Sequence, residues 1–526
     1  MKNRFYPLTV RGLITGILGL IVITTSSMYT ALKMGALPWP TVFVTVVSMA
    51  VLSKAKGSTL QEINCTHTLM SAGAMVAGGL AFTLPGLWMI NPSSELSLFS
   101  VIVVSVTGAI LGTLFTSLNR KHLIEEEKLP YPMGNAAYNT LTCTKDRTGA
   151  LTLFSSMGGS VLFTLIRDAW GKIPSVLTVF SGNAYFPALQ VWVSPMALGI
   201  GAVIGPVLAG MWFLGMVLGY YVITPVGTYF FGSELTNAFR NDLGIGLMIG
   251  TGIGIFIKAI YSIFKKMVKK ENRKAFDKNK AFMFLIICLL SITVLALLTE
   301  ITIAEAILLI PGIYLATYLS AMLTGQTGVN PMEVFAILVL LFVAAVVSST
   351  LTSLFLIAAT VAVAAGLTGD VMNDLKSGYM LKTPVHSQLV GEGIGGVIGA
   401  VVASLVLFAL KGAYGSFGAG TLLPAPQASA VSLMVSGLSS IPGFVFGLFI
   451  GALLYLLNAP SATLGLGVYL ATNISSIMGL GALCAFIFRK TIKDREKCDS
   501  NISLVSSGFL GGEGITGVLI AIASMF

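Results

Sequence analysis

Charge is scarce in this chain. Asp, Glu, Lys and Arg make up 10% of its 526 residues, against about 25% in ordinary soluble proteins. Residues 412–488 contain none of the four. A soluble domain cannot bury so long an uncharged stretch, so a cytosolic enzyme and a secreted, fibrous or disordered protein are all excluded. Cysteine is also sparse. Cys65, Cys143, Cys288, Cys484 and Cys498 show no C-x-x-C spacing, which removes a redox motif or a zinc ribbon. The three histidines, His67, His122 and His386, are too scattered to announce a metal cage. No Walker A phrase is present, and no cofactor or resident metal is expected.

Apolar sequence takes the place of charge: 55% of the residues are hydrophobic and 58 are glycine. The runs are continuous and rich in Gly, Ala, Leu and Ile, not alternating, so the spans are helices and not the strands of a barrel. Small residues let such helices approach closely inside a bilayer. An all-α polytopic membrane protein follows, with room for about sixteen or seventeen spans of about 20 residues. The net charge of +10 sits in short loops between apolar runs, which argues against a nucleic-acid partner and for cytoplasmic loops in a lipid bilayer. Lys2, Arg4 and Arg11 precede the first apolar run, which reads as an uncleaved span with a cytoplasmic N-terminus.

The segment 265–280, KKMVKKENRKAFDKNK, holds eight basic residues and divides the chain. The expected organisation is a first transmembrane repeat at 1–264, a basic cytoplasmic linker at 265–280, an intervening span at 281–300 and a second repeat at 301–526. Three landmarks recur in order. Pro40 is matched by Pro331, Pro130 and Pro132 by Pro424 and Pro426, and Pro195 by Pro460. The last offset is shorter, so the first half carries an extra loop near 170–194. Basic loops in one half match neutral loops in the other: 120–128 is charged and 412–422 is nearly neutral, whereas 220–242 holds one Arg and 489–497 holds five basic residues. Two copies in opposite membrane orientations, separated by one odd span, would produce this swap.

Interrupted helices in matching places of two halves point to a substrate site near the midplane. GALPWP (35–40) pairs with GQTGVNP (325–331), and LPYPMG (129–134) with LPAPQA (423–428). Proline at a helix start costs little, and the freed N-terminus favours an anionic group; ordinary loop prolines are the alternative. Tyr131, Asn135, Gln326 and Asn330 could hydrogen-bond a substrate without adding charge, and Glu333 follows Asn330 at a helix start. His67 and Ser71 belong to a helix with a thin, small-residue face, a second candidate wall. Ionisable residues at depth are costly and usually functional, which nominates Glu333, Asp370, Glu392 and Glu513 for proton coupling. Their alternative is a wet position at the membrane boundary. GEGIGGVI (391–398) and GEGITGVL (512–519) match G-x-G-x-x-G only formally, since no strand precedes them.

The phrases SAGAMVAGGLAFTLPGLW (71–88), EEKLPYPMGNAA (126–137), DLKSGYMLKTP (374–384) and GGEGITGVL (511–519) resemble the oligopeptide transporter (OPT) family, in which the yellow stripe-like metal-chelate carriers form a branch. The resemblance is to a prokaryotic member distant from that branch. It implies a secondary carrier in a bacterial inner membrane that imports small peptides, glutathione-like compounds or metal chelates, usually with protons, and leaves a homo-oligomer open. Many members carry an acidic residue where this chain has Met133 and another where it has Asn139. The family's N-N-P phrase stands here as Val329-Asn330-Pro331. A passive channel and an ion-translocating membrane phosphohydrolase are the competing readings; the second lacks a polar phosphate loop.

Overall fold

The computed structural model describes residues 7–523 except 36, 38–40, 54, 56, 144–146, 184, 268–277, 328–329, 437–439 and 493. Pro38–Pro40, most of the basic segment 265–280 and the side chain of Gln326 therefore lie outside the described residues.

The chain is helical almost throughout. Its first part builds α1 (Val10–Met34), α2 (Thr41–Leu52), α3 (Leu60–Ala81) with its short continuation α4 (Pro85–Ile90), α5 (Leu98–Arg120), α6 (Pro132–Cys143) and α7 (Arg147–Thr164). An antiparallel hairpin, β1 (Val176–Phe180) with β2 (Leu189–Trp192), follows. Then come α8 (Pro195–Met216), α9 (Thr224–Phe231) and α10 (Ser233–Met267). After α11 (Lys278–Leu298) the second part runs through α12 (Ile303–Thr327), α13 (Met332–Val346), α14 (Leu351–Leu381), α15 (Val385–Tyr414), α16 (Pro426–Ser436), α17 (Ile441–Leu456), α18 (Ser461–Tyr469), α19 (Thr472–Thr491) and α20 (Arg495–Ala523). Among the described residues, eight stretches are long and apolar enough to cross a membrane. The remaining helices include α10 and α20, which are long but carry several charged residues, and shorter apolar ones such as α13 and α17.

Local chemistry sets the ends. The Thr9 side chain caps α1 by accepting from the Gly12 N–H, and Gly35 closes it at φ 62°, its N–H donating to Ala31. Thr59 caps α3 and Thr350 caps α14 in the same way. In α8, Pro206 has no N–H to give, and the residue before it leaves the helical region: Gly205 sits at φ 85°, ψ 167°.

The order of helices repeats. The starts of α1 and α12 are 293 residues apart, those of α2 and α13 and of α3 and α14 are 291 apart, and those of α6 and α16 and of α7 and α17 are 294 apart. The spacing drops to 266 between α8 and α18, where the first part has the extra hairpin, and is 262 between α10 and α20. Backbone details repeat as well. Tyr131 (φ 45°) donates its N–H to Gly325 at 2.9 Å, and Ala425 (φ 39°), 294 residues on, donates to Leu32 at 2.8 Å.

Matched helices meet head to tail. Along α3 and α14, Asn64 bonds Ser377, Ser71 bonds Asp374, and Gly79 leaves room for Val363. Along α8 and the α18–α19 pair, Gly215 faces Leu464, Gly201 faces Met478 and Gly481 faces Leu198. The α3–α4 and α14 stretches form the centre of the bundle, with 89% and 83% of their apolar windows buried, whereas the α8–α9 stretch is 33% buried and turns Val207, Phe213, Val226 and Phe230 outward. Arg11 with Glu62, Gln61 with the Leu381 carbonyl and Lys376 with the Leu129 carbonyl tie the N-terminal end of the bundle. Gln427 on the Gly35 carbonyl and Lys33 over Trp192 belong to the opposite end.

Candidate transport site

A cavity of about 720 Å³ lies toward the end of the bundle opposite the N-terminus. Its volume falls within the range of about 300–1,000 Å³ usual for small-ligand sites. Both parts of the chain wall it. The last turns of α1 give Tyr29 and Lys33, the π-helical turn after α7 gives Arg167 and Asp168, the hairpin gives Trp192, and the start of α10 gives Asn237, Arg240 and Asn241. From the second part come Tyr414, the loop through Leu422 and Pro424, and the stretch from Tyr469 to Ile474. That last stretch is a break. α18 ends at Tyr469, Leu470 and Ala471 are extended, and α19 begins at Thr472. The break faces the kink at Gly205–Pro206, because the two helices run antiparallel and pair Gly201 with Met478 and Trp212 with Gly467 on either side.

The wall is polar and its charges are unevenly matched. Arg167 holds Asp168 through two bonds of 2.6 Å, Nε to Oδ1 and a terminal nitrogen to Oδ2. Its other terminal nitrogen reaches Glu513 at 2.9 Å and donates to the Val193 carbonyl at 2.5 Å. Glu513 is fully buried. Its second oxygen accepts from the Ser194 hydroxyl and from the Met196 N–H, both at 2.8 Å, so it also sits on the N-terminus of α8. Lys33 lies over the Trp192 ring, 4.8 Å from its centre, and Arg240 over Tyr220 at 4.1 Å. Arg240 also donates to Thr224 and Asn241, and its Nε has no partner among the described residues.

A second polar site lies away from the cavity, where α3, α14 and α15 meet. Asp370, Asp374 and Glu392 are buried, with one carboxylate oxygen of each within 4.8 Å of the others. Ser71 donates to Asp374 at 3.1 Å, and His67 Nε2 stands 3.8 Å from the same carboxylate. One oxygen of Asp370 and both of Glu392 have no partner among the described residues. Close helix approach makes the cluster possible. Gly395 of α15 sits against the Leu69 carbonyl and Gly399 against Gly73, so α15 lies close on α3, while Gly396 faces Leu367 of α14. Three carboxylates this close in a dry interior cannot all be charged; the cluster must share a proton or take up a cation.

The residues singled out from the sequence therefore divide into groups. His67, Ser71, Asp370 and Glu392 come together from three helices. Glu513 lies on the cavity's charged wall. Tyr131, Asn135 and Asn330 spend their polar groups on the protein: Tyr131 donates its hydroxyl to Ala321 at 3.0 Å, Asn135 donates to Pro130 at 2.9 Å, and Asn330 accepts from Ser320 and donates to Ala365. Glu333 is half-buried in the first turn of α13. None of these three nor Glu333 lines the cavity among the described residues. Sequence reasoning missed Lys33, Arg240 and the central place of Asp374. Lone cations within apolar sequence were the available signal for the first two.

A polytopic bundle with a polar cavity between two series of broken helices belongs to the class of membrane transporters and not of enzymes. A model of the family described as OPT oligopeptide transporter protein matches residues 7–524, and the chain belongs to that family. It is 25% identical to the Haemophilus influenzae protein named "Putative oligopeptide transporter", over 94% of this chain and 92% of that one. Two plant proteins share a shorter stretch. "Probable metal-nicotianamine transporter YSL13" of Oryza sativa subsp. japonica is 28% identical over 28% of this chain and 23% of its own length. "Metal-nicotianamine transporter YSL2" of Arabidopsis thaliana is 27% identical over 28% of this chain and 25% of its own.

Proposed function

We propose that this transporter is a proton-coupled symporter of small peptides or peptide-like compounds, glutathione-like molecules and metal chelates among them, working by alternating access. The observation that carries the reading is the cavity of about 720 Å³ walled by both helix series and reaching the break at Leu470–Ala471. Substrate would sit there, against the polar wall. The repeated helix order and the head-to-tail meeting of α3 with α14 and of α8 with α19 support two repeats related by an axis in the membrane plane, the arrangement that lets one half rock against the other. The coupling proton would reside on Asp370, Asp374 and Glu392, with His67 and Ser71 orienting Asp374. Glu513, whose oxygens are held by Arg167, Ser194 and Met196, acts in this reading as a strut of the cavity wall.

The test is uptake by reconstituted vesicles of labelled tripeptides, glutathione and metal–nicotianamine, with and without an imposed proton gradient. Gradient-driven accumulation of at least one cargo is expected. Flux that never exceeds equilibration at any gradient would instead identify a passive channel.

A further inference from the structure

We propose that Asp370, Asp374, Glu392 and His67 form a binding site for a divalent transition-metal cation. This deepens the reading of the cluster as the seat of the coupling proton, whose place the ion would take. The cluster has no fixed counter-charge. Among the described residues no Lys or Arg pairs with any of the three carboxylates, and Lys376, two positions beyond Asp374, is spent on the Leu129 carbonyl at 3.0 Å. Glu392 is fully buried with both oxygens unpartnered, and one oxygen of Asp370 is unpartnered too.

The independent sign of a ligand is His67. Its ring is 1% exposed, and its Nδ1 has no partner among the described residues. Its Nε2 stands 3.8 Å from Asp374 Oδ1. That gap is too long for a hydrogen bond. It suits two ligands that share an ion, which lie roughly 3.0–4.2 Å apart when each bond is about 2.1 Å. The carboxylate oxygens lie within 4.8 Å of one another. Ligands on opposite sides of an ion are about 4–5 Å apart for bonds of about 2.0–2.6 Å, so the cluster needs little closure. With all three carboxylates ionised, a monovalent ion would leave two negative charges in the dry interior, and a divalent one leaves one. Oxygen ligands alone would suit Mg²⁺ or Ca²⁺; the imidazole turns the preference toward Mn²⁺, Fe²⁺ or Zn²⁺. The ligands are braced from outside. Ser71 donates to Asp374 at 3.1 Å, and Gln388 of α15 donates to the Asp374 carbonyl at 2.8 Å, which ties α15 to α14 beside the cluster. Since α3 belongs to the first helix series and α14 and α15 to the second, a bound ion clamps the two series together.

Mn²⁺ added to the purified full chain and read by electron paramagnetic resonance tests this. A single bound ion is expected, with nitrogen coupling from an imidazole in the spin-echo modulation. Asp370→Asn and Glu392→Gln should each abolish binding. Both remove a buried charge at constant volume, so the ion-free variants should keep a thermal midpoint at or above that of the wild type. Ser71→Ala should weaken binding about tenfold. His67→Gln should erase the nitrogen coupling and lower the preference for Zn²⁺ over Ca²⁺ in competition, which a loss of packing alone would not do. No Mn²⁺ bound by the wild type, undiminished binding in both carboxylate variants, or nitrogen coupling that persists in His67→Gln would overturn the proposal. Uptake in vesicles separates it from the coupling reading, because an occupied site should halt gradient-driven accumulation. If Mn²⁺ binds at the cluster and accumulation continues, the coupling reading fails and the metal site stands. If Asp374→Asn abolishes accumulation but Mn²⁺ does not bind the wild type, the metal site falls and the coupling reading stands.

Discussion

Two matched positions in the bundle carry opposite chemistry. Ser461 begins α18 as Pro195 begins α8, 266 residues apart, so the helix start that holds Glu513 through Ser194 and Met196 matches the one at Ser461; Glu513 and Thr251 are 262 apart, the spacing of α20 and α10. In one place Arg167 and Glu513 form a buried ion pair at 2.9 Å on the cavity wall. In the other, the hydroxyls of Ser461 and Thr251 meet at 2.7 Å in a packed interior. The same backbone junction thus holds a charged wall at one end of the bundle and a neutral clasp at the other. Breaking each should separate them sharply. Arg167→Met leaves Glu513 buried beside a helix N-terminus without its cation and should cost about 3–5 kcal/mol of stability. Ser461→Ala removes one neutral hydrogen bond and should cost about 0.5–1.5 kcal/mol. Thermal midpoints in detergent check the order. The double variant Arg167→Met with Glu513→Leu should regain much of the loss while transport stays abolished, since stability needs only the absence of an orphaned charge.

The central pair of helices shows the same division. At the 291-residue spacing of α3 and α14, Asp370 matches Gly79, Asp374 matches Thr83, His67 matches Ala358 and Ser71 matches Ala362. The end of the pair that holds the acidic cluster is therefore charged, and its counterpart is small and uncharged. If coupling resides in the polar copy alone, Asp374→Asn should collapse accumulation. A gradient of about 2 pH units is worth ~2.7 kcal/mol for one proton, or a hundredfold accumulation of a neutral cargo, and the variant should fall to equilibration. Ala358→Ser, on the other end, should leave accumulation at the wild-type level. Counterflow exchange without a gradient provides the control: Asp374→Asn should retain it if the defect is in coupling and not in folding.

Much of this frame could be read from the residues. Scarce charge and continuous apolar runs fixed the helical membrane class, the described landmarks Pro132, Pro195, Pro331, Pro426 and Pro460 lie at helix starts, and the shortened third offset corresponds to the inserted hairpin. The carboxylates of the cluster were visible as isolated charges, but not their meeting, since His67, Asp374 and Glu392 are brought together by glycine contacts between distant helices. The cavity was legible least. Its cations are single residues, and its aromatic lining is indistinguishable in sequence from core. The prolines that drew attention to Tyr131 and Asn330 mark helix starts whose polar groups are answered internally.

The two facing breaks give the smallest and most discriminating contrast. One copy interrupts α8 with Gly205 in a backbone region that only glycine occupies readily, at φ 85° and ψ 167°. The other interrupts the α18–α19 span with Leu470 and Ala471 in ordinary extended geometry, at φ −73° and −57°. A side chain at Gly205 would meet nothing within 4 Å, so Gly205→Ala tests backbone strain alone. It should cost about 1 kcal/mol, the lower end for such a conformation. Ala471→Gly loosens a residue already in a permitted region, and its effect should stay within about 0.5 kcal/mol. Unfolding midpoints measure both. Should Gly205→Ala prove as mild as Ala471→Gly, the kink is not held in the glycine region, and Pro206 alone accounts for the break.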